Sequence, residues 1–376
     1  MKFSRLVLPG VAMIAVTYGL ARFSFGLLLP GIKESLEMSE FISGVISSMF
    51  YLAYCFTIII STVITTNEGP RRMIILAGLS AFAGLLLMAV TPNAWVLALG
   101  VLFAGGSTGL ISPPYGAVIS LWIAGNKQGR ANTWINSGTS FGIVLSGMGA
   151  ILLLPNWRLT YLIYAGLTLL ILIWNFQAIP KVEKRPKLRF EKGSLSFRGV
   201  SGAIPLIIAS LLLGISTAAF WTFSRSFIEV AGDYSDWQLS GFWIIIGLFG
   251  VLGGFSGSLV EKGGLPLAYK IGSLSVASAS IILASSPEWW LISYLSAGIF
   301  GCSYIFLTGV LLVWGIRVFI PNASLGIGVP FLLLALGQVI GSVFAGWLIG
   351  TWGYVNSFVL YGIVGMLAAF IGSSKN

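Results

Sequence analysis

Histidine is absent from the sequence, cysteine occurs only twice, and 9% of the 376 residues are charged. A soluble domain has about 25% charged residues, so this composition excludes an ordinary cytosolic enzyme and a disordered chain. No Ser/His/Asp catalytic set can exist without histidine. Cys55 and Cys302 both lie in apolar runs, which argues against a disulfide framework and a Cys/His zinc site. We therefore predict no catalytic residue, no metal and no cofactor.

Long apolar runs are what the sequence has in abundance, because 57% of its residues are hydrophobic. A helix needs about 20 apolar residues to cross a bilayer, and these runs are too long and too uniformly apolar for barrel strands. The first run continues to Leu29, which is too long for the apolar core of a cleaved signal peptide. We predict an all-α membrane protein with twelve transmembrane helices, near residues 6–31, 41–65, 73–91, 94–123, 131–154, 158–179, 201–229, 238–260, 265–285, 289–316, 324–350 and 353–372.

The net charge of +10 is distributed unevenly along the chain. If both termini are cytoplasmic, most of the 21 Lys and Arg residues lie on the cytoplasmic side; Lys33 and Arg158 lie outside, and Arg22 and Arg225 lie within helices. Cytoplasmic loops of membrane proteins are enriched in Lys and Arg. We therefore predict a multi-pass protein of the inner or plasma membrane with both termini cytoplasmic. The cations are interpreted as topology signals and not as a nucleic-acid surface.

The most basic loop, residues 180–199, separates two halves of the chain. We interpret it as a cytoplasmic linker that contacts anionic lipid headgroups, with a regulatory or partner-binding role as the alternative. The predicted domains are an N-terminal six-helix bundle (1–179), this linker, and a C-terminal six-helix bundle (200–376).

The two halves repeat each other at an offset of 195 to 199 residues. The matched pairs are Pro9 and Pro205, Gly44 and Gly241, Gly69 and Gly264, Gly105 and Gly301, and Tyr161 and Phe358, while Gly138, Gly142 and Gly147 match Gly337, Gly341 and Gly346. Ordered matches at nearly one offset indicate a duplicated unit. We predict two pseudo-symmetric bundles, with substrate bound between them and access alternating as they rock. The glycine triplets predict close helix packing, either static or slidable.

A loop with glycine and charged residues follows both the second and the eighth predicted helices. Its second copy contains Gly257, Leu259, Glu261, Lys262 and Gly264, and its first copy contains Gly69, Arg71 and Arg72, with Thr66 in place of an Asp. Together with the repeat, this resembles the major facilitator superfamily, which has the pattern Gly-x-Leu-x-Asp-Arg-x-Gly-Arg-Arg in that loop. The resemblance implies that family's fold and a gating or latch role for these loop residues. The stretch 18–30 is similar to a poorly characterised bacterial branch of the family.

Arg22 is a charged residue inside the first predicted helix, where a buried charge is costly enough to indicate function. Tyr18 lies four residues earlier, on the same helix face. A guanidinium beside an aromatic ring offers forked donors that suit a carboxylate or a phosphate. We predict that Arg22 binds an anion or forms a gating pair. The alternative is a structural arginine that donates to carbonyl groups of neighbouring helices.

Arg225, in the seventh predicted helix, has Trp221 four residues before it and Glu229 four residues after it. We predict that Arg225 is a gate or a second substrate contact, with a salt bridge to Glu229 at the membrane rim as the alternative. The repeat offset maps Leu29, and not Arg22, onto Arg225, so the two arginines are not symmetry mates.

The resemblance implies further site residues on the helices that line the cavity in this family. The predicted substrate-binding residues are Tyr18, Arg22, Tyr54, Tyr115, Asn136, Trp221, Arg225, Tyr304 and Gln338, with Tyr51, Ser112, Asn132, Trp243 and Thr308 as further cavity candidates. Each could instead serve packing or interhelical hydrogen bonding. Because Asp and Glu are missing from the middle of every predicted helix, we do not expect proton coupling through a mid-membrane carboxylate. Uniport, anion exchange, and proton entry through Glu34 or Glu229 stay open.

These observations predict a secondary active or facilitative transporter that works by alternating access. Its expected solute is a small organic anion bound by membrane-embedded arginine, and its expected state is a monomer in the lipid bilayer. One alternative is an exporter of amphipathic or aromatic compounds, and another is a non-transporting membrane sensor or scaffold.

Overall fold

The computed structural model describes residues 3–153, 156–181, 202–254, 260, 263–319 and 323–371. Every regular element in these ranges is helical. The helices are α1 (Phe3–Ser35), α2 (Glu40–Glu68), α3 (Pro70–Val90), α4 (Ala94–Trp122), α5 (Gly125–Leu153), α6 (Trp157–Ala178), α7 (Ala203–Ala231), α8 (Asp236–Gly253), α9 (Leu265–Ser285) and α10 (Trp290–Val318), followed by a helical run, Ala323–Ala369. The predicted linker 180–199 lies, apart from its first two residues, outside the described residues.

The last helical run consists of two helices. At Gly353 the backbone has φ 79° and ψ 173°, which is not helical, and we name the part before it α11 and the part after it α12. The apolar portion of the run, Gly328–Ala369, has 42 residues and is the last of eleven described segments that are long and apolar enough to cross a membrane. Its 42 residues correspond to about 63 Å of helix in total, roughly twice the thickness of the hydrocarbon core. The described part of the chain therefore accounts for twelve crossings, and the predicted all-α membrane fold is confirmed.

The described residues group into two compact units. The N-terminal unit lies within Met1–Met38 and Met49–Glu191, and the C-terminal unit lies within Ser39–Ser48 and Lys192–Asn376. The first turns of α2 therefore group with the C-terminal unit. There the Tyr354 hydroxyl of α12 donates to Glu40 Oε1 at 2.8 Å, and a Cβ on Gly346 of α11 would lie 2.3 Å from the Glu40 carbonyl oxygen.

Within the N-terminal unit, α5 packs against α1 through main-chain atoms. A Cβ built on Gly138 would lie 2.4 Å from the carbonyl oxygen of Val11, and one on Gly142 would lie 2.2 Å from that of Ala15. Real Cβ atoms do not approach so closely, so only glycine fits at these positions. Gly147, the third glycine of the triplet, is buried further along α5.

The same contact recurs within the C-terminal unit, between α11 and α7. A Cβ on Gly337 would lie 2.2 Å from the carbonyl oxygen of Leu211, and one on Gly341 would lie 2.9 Å from that of Ile215. Each residue of this contact lies 199 or 200 positions after its counterpart in the α1–α5 contact. Small residues let helix backbones approach in this way in membranes.

The second helix of each unit also packs closely, against the fourth. A Cβ on Gly105 of α4 would lie 2.4 Å from the Phe50 carbonyl oxygen, and one on Gly301 of α10 would lie 2.1 Å from that of Ile246. Both members of this contact are displaced by 196 residues between the halves. A repeat found in the sequence thus recurs as repeated backbone contacts.

The turns before α3 and α9 have nearly the same backbone conformation. Gly69 has φ 86° and ψ 164°, and Gly264 has φ 81° and ψ 157°, a region that is essentially restricted to glycine. Pro70 and Pro266 follow within the first helical turn, where proline is tolerated. The two glycines of the loop motif are therefore required by the backbone itself.

Candidate functional site

The middle of α1 is wound as a π-helix from Ala15 to Phe23. At its end the Ser24 N–H donates to the carbonyl oxygen of Gly19, five residues earlier. π-Helical segments are rare, and they occur frequently at functional sites. Tyr18 and Arg22 both lie in this segment, so the unusual winding coincides with the charged residue that the sequence singles out.

Arg22 lies among four aromatic rings of the N-terminal unit. Its Cζ is 4.5 Å from the ring centre of Tyr51, 5.2 Å from Phe23, 5.5 Å from Tyr54 and 5.9 Å from Tyr18. We call Tyr18, Phe23, Tyr51 and Tyr54 the aromatic cage. Arg22 is only 7% exposed, and each close ring offsets about 0.5–2 kcal/mol of the cost of taking the guanidinium out of water.

Neighbouring helices hold the rings of the aromatic cage. The Tyr18 hydroxyl lies 2.7 Å from Ser112 Oγ and 3.2 Å from the Thr108 carbonyl oxygen of α4. Tyr51 and Tyr54 are three residues apart on α2, and both are buried. The structure thus brings together Tyr18, Arg22 and Tyr54 of the predicted site residues, and it adds Phe23, which the sequence interpretation did not name.

Arg225 of α7 is 4% exposed, and its Nη1 donates to Glu229 Oε2 at 2.6 Å. Glu229 is partly exposed, with 37% of its side chain accessible. This ion pair is the salt bridge to Glu229 that the sequence predicts as the alternative to a gate or a substrate contact. Trp221 packs against other rings, at 5.1 Å from Tyr304 and 6.1 Å from Trp243 between ring centres.

Three predicted site residues meet within the C-terminal unit. Besides the ring contact of Trp221 and Tyr304, Gln338 Nε2 of α11 donates weakly to the Tyr304 hydroxyl at 3.3 Å and to Thr217 Oγ1 at 3.5 Å. A small cavity beside them is lined by Thr217, Tyr304, Thr308 and four leucines. This cluster offers aromatic and neutral polar surface.

Tyr115 and Asn136 lie at a different level of the N-terminal unit. The Tyr115 hydroxyl donates to Asn175 Oδ1 of α6 at 2.5 Å, and Asn175 Nδ2 donates to the Pro9 carbonyl oxygen at 3.0 Å. Pro9 is thirteen residues before Arg22, about 20 Å along a helix. Asn136 is exposed and donates to Asn132 Oδ1 at 3.2 Å. Neither residue contributes to the aromatic cage.

In the first copy of the loop motif, after α2, an arginine contacts the end of α6. Arg71 Nη2 donates to the Phe176 carbonyl oxygen of α6 at 2.7 Å, and its Cζ lies 4.6 Å from the Phe176 ring centre. Arg72 forms an exposed ion pair with Glu68. Of the second copy, Gly264 is described, whereas Gly257, Glu261 and Lys262 lie outside the described residues.

Comparison with known proteins assigns the fold to a family. The profile of the Major Facilitator Superfamily matches residues 11–329. The chain belongs to this superfamily. The tetracycline resistance protein, class C, of Escherichia coli is 25% identical in an alignment of 311 residues; the match covers 76% of this chain and 74% of the relative.

Solved structures share the fold of this superfamily member at low sequence identity. A bacterial homologue of the human lysosomal transporter Spinster, in an inward-facing and occupied conformation, is 13% identical with a TM-score of 0.79, covering 98% of this chain and 95% of that one. A D-xylose–proton symporter is 16% identical with a TM-score of 0.74, covering 98% and 97%. Membership of the superfamily, and not these structural similarities, makes the protein a multi-pass membrane transporter with a small-molecule solute.

Proposed function

We propose that the protein is a secondary transporter that works by alternating access and carries a small organic anion, with Arg22 as its charge receptor. The observation that carries this proposal is the position of a 7% exposed arginine inside a π-helical part of a membrane span. A charge is retained at such a position at a considerable cost in free energy, and intramembrane ionisable residues mark substrate and ion pathways.

The chemistry of the aromatic cage suits anion recognition. Ring faces stabilise the guanidinium through their quadrupoles and carry no formal charge. A guanidinium binds a carboxylate through two parallel N–H donors, and such charge-assisted bonds strengthen where water is excluded. Arg22 combines these properties because the surrounding tyrosines of α2 are buried.

A second candidate function is the export of amphipathic or aromatic compounds. The similarity to a tetracycline resistance protein favours it, and so does the cluster of Trp221, Tyr304 and Gln338. Deletion and overexpression strains separate the two functions, because only an exporter of this kind alters susceptibility to a panel of amphipathic drugs.

We also propose that the protein is a monomer in the inner or plasma membrane with both termini in the cytoplasm. The positive-inside distribution of Lys and Arg supports this orientation. Cysteine accessibility at residues added beyond each terminus tests it, since both must be labelled only after the membrane is permeabilised.

The test of the proposed function is ligand binding and flux with an Arg22 series. Purified protein is screened by thermal shift against organic acids, phosphates, amino acids and drugs, because a ligand of the native state raises the melting temperature. Arg22→Ala should weaken binding of any anionic hit about 10- to 150-fold, since bonds to charged groups contribute about 1.5–3 kcal/mol. Arg22→Lys keeps the charge and should recover only part of the affinity.

The matched control is Arg317→Ala, which removes an exposed arginine near the end of α10. This variant should keep wild-type binding and flux in proteoliposomes. Undiminished flux of the anion by a folded Arg22→Ala protein would remove Arg22 from the mechanism.

A further inference from the structure

We propose that the anion recognised at Arg22 is a planar aromatic monocarboxylate, an inference that rests on the proposed function and names the substrate class of the same site. The starting observation is that the Arg22 guanidinium carbon lies over four rings at 4.5 to 5.9 Å. The receptor is therefore a cation with four aromatic rings close to its guanidinium group.

The shape of the ligand follows from the directions of the donors. All N–H groups of a guanidinium lie in its plane, so a carboxylate held by two of them lies in that plane as well. The atoms bonded to the carboxylate would then lie close to the rings around Arg22, among them Tyr51 and Tyr54 of α2. A ring bonded directly to the carboxylate stays coplanar with it and packs against these rings in a stacked or edge-to-face arrangement.

The charge of the ligand follows from the charge of the aromatic cage. Arg22 supplies one positive charge there, and the four rings around it carry no formal charge. A phosphate ester carries a charge of about −1.5 to −2 and three strong acceptor oxygens, all of which must lose water. The Phe23 ring has no hydrogen-bond donor, and the Tyr18 hydroxyl is engaged with Ser112 and Thr108, so these two members of the cage do not replace those hydrogen bonds. A monocarboxylate has the lower desolvation cost at this site.

The experiment measures binding of four probes to the purified full chain at neutral pH. Benzoate is planar and anionic, cyclohexanecarboxylate is anionic but not planar, benzamide is planar but uncharged, and phenyl phosphate carries more charge. Benzoate should bind about three- to tenfold more tightly than cyclohexanecarboxylate, which is the affinity gain expected of one aromatic pair. Benzamide and phenyl phosphate should bind more weakly than benzoate.

A variant pair assigns the preference to a ring. Tyr51→Leu removes the ring nearest to Arg22 and should bring the affinities for benzoate and cyclohexanecarboxylate to within about twofold of each other. Tyr51→Phe keeps the ring and should keep the preference. The ratio of the two affinities is the readout, because a general loss of stability lowers both alike.

A measurement on the unaltered protein keeps the test decisive if Tyr51→Leu does not fold. Cys55 adjoins Tyr54 on α2 and is 6% exposed. Its slow alkylation by N-ethylmaleimide, followed by mass spectrometry of the Cys55 peptide, should be retarded more by benzoate than by cyclohexanecarboxylate at equal concentration. Cys302, on α10 in the other unit, is the internal control.

The outcomes separate this inference from the proposed function. If no carboxylate or phosphate binds in an Arg22-dependent manner, the proposed function fails. If both carboxylates bind through Arg22 with equal affinity and protect Cys55 equally, or if phenyl phosphate binds most tightly, the anion receptor stands and the aromatic monocarboxylate is refuted.

Discussion

The carbonyl oxygen of Ala15 lies only 2.2 Å from the position that a Cβ on Gly142 would occupy. The next turn of α1 is equally close, because a Cβ on Gly19 would lie 2.2 Å from the Gly142 carbonyl carbon. Ala15 is the first residue of the π-helical segment, and Gly19 lies in its middle. The backbone of α5 at Gly142 is thus in direct contact with the π-helical segment that contains Tyr18 and Arg22.

Replacing Gly142 with alanine should separate α1 from α5 and displace Arg22 from its rings. Overpacking of this kind costs about 1–3 kcal/mol, so we expect a lower melting temperature together with weaker anion binding. Gly166→Ala is the control, because nothing lies within 4 Å of a Cβ at Gly166 of α6. A Gly142→Ala protein with wild-type melting temperature and binding would show that the backbone contact does not position Arg22.

The duplicated contact of the second and fourth helices predicts equal sensitivity in both halves. Gly105→Ala meets the Phe50 backbone at 2.4 Å, and Gly301→Ala meets the Ile246 backbone at 2.1 Å. Each should lower the free energy of unfolding by about 1–3 kcal/mol, measured by thermal or detergent-induced unfolding. Gly116→Ala, on α4 with open space around its Cβ, should be neutral or slightly stabilising. A large effect in one half alone would contradict the structural repeat.

The buried bond between Tyr115 and Asn175 predicts a structural role for Tyr115. Tyr115→Phe leaves Asn175 Oδ1 without its 2.5 Å donor, which should cost about 1–3 kcal/mol. The double variant Tyr115→Phe with Asn175→Leu removes both partners and should lose less than the sum of the single variants. Ligand selectivity should be unchanged throughout. A changed order of affinities in Tyr115→Phe would instead return this residue to the substrate site.

The ion pair on α7 predicts that Glu229 stabilises a buried cation. Glu229→Gln leaves Arg225, which is 4% exposed, without its carboxylate partner. We expect a loss of about 1–3 kcal/mol, below the cost in a fully buried pair because Glu229 is partly solvated. Replacing both residues with glutamine should be less destabilising than Glu229→Gln alone. Equal melting temperatures for the wild-type protein, Glu229→Gln and the double variant would indicate that the pair contributes nothing to stability.

Much of the fold could be predicted from the sequence because the apolar runs and the repeat are properties of the chain itself. Twelve runs of about the required length indicate twelve crossings, and the offset between Gly69 and Gly264 anticipates two turns with one backbone conformation. The ends of the helices were less predictable. α5 begins at Gly125 and not near residue 131, because the polar stretch that follows Gly125 is helical without being apolar.

The site was harder to predict because it depends on winding and packing. The segment Ala15–Phe23 contains one glycine and no proline, and nothing in its composition distinguishes a π-helix from an α-helix. The pairing of Arg22 with Tyr51 requires knowing which face of α2 meets α1. Asn175 did leave a signal, since it is an amide that directly follows an apolar run of α6, with Gln177 two residues later, but its partners Tyr115 and Pro9 are set by the tertiary structure.

The glycine contacts of α1 with α5 and of α7 with α11 are formed by main chain against main chain. Such contacts admit no side chain, so they offer no room for diversification when a lineage acquires a new solute. For the proposed substrate site, we therefore expect changes of specificity at positions such as Tyr51, Tyr54 and Tyr304, whose rings can be exchanged while the backbones keep their distance.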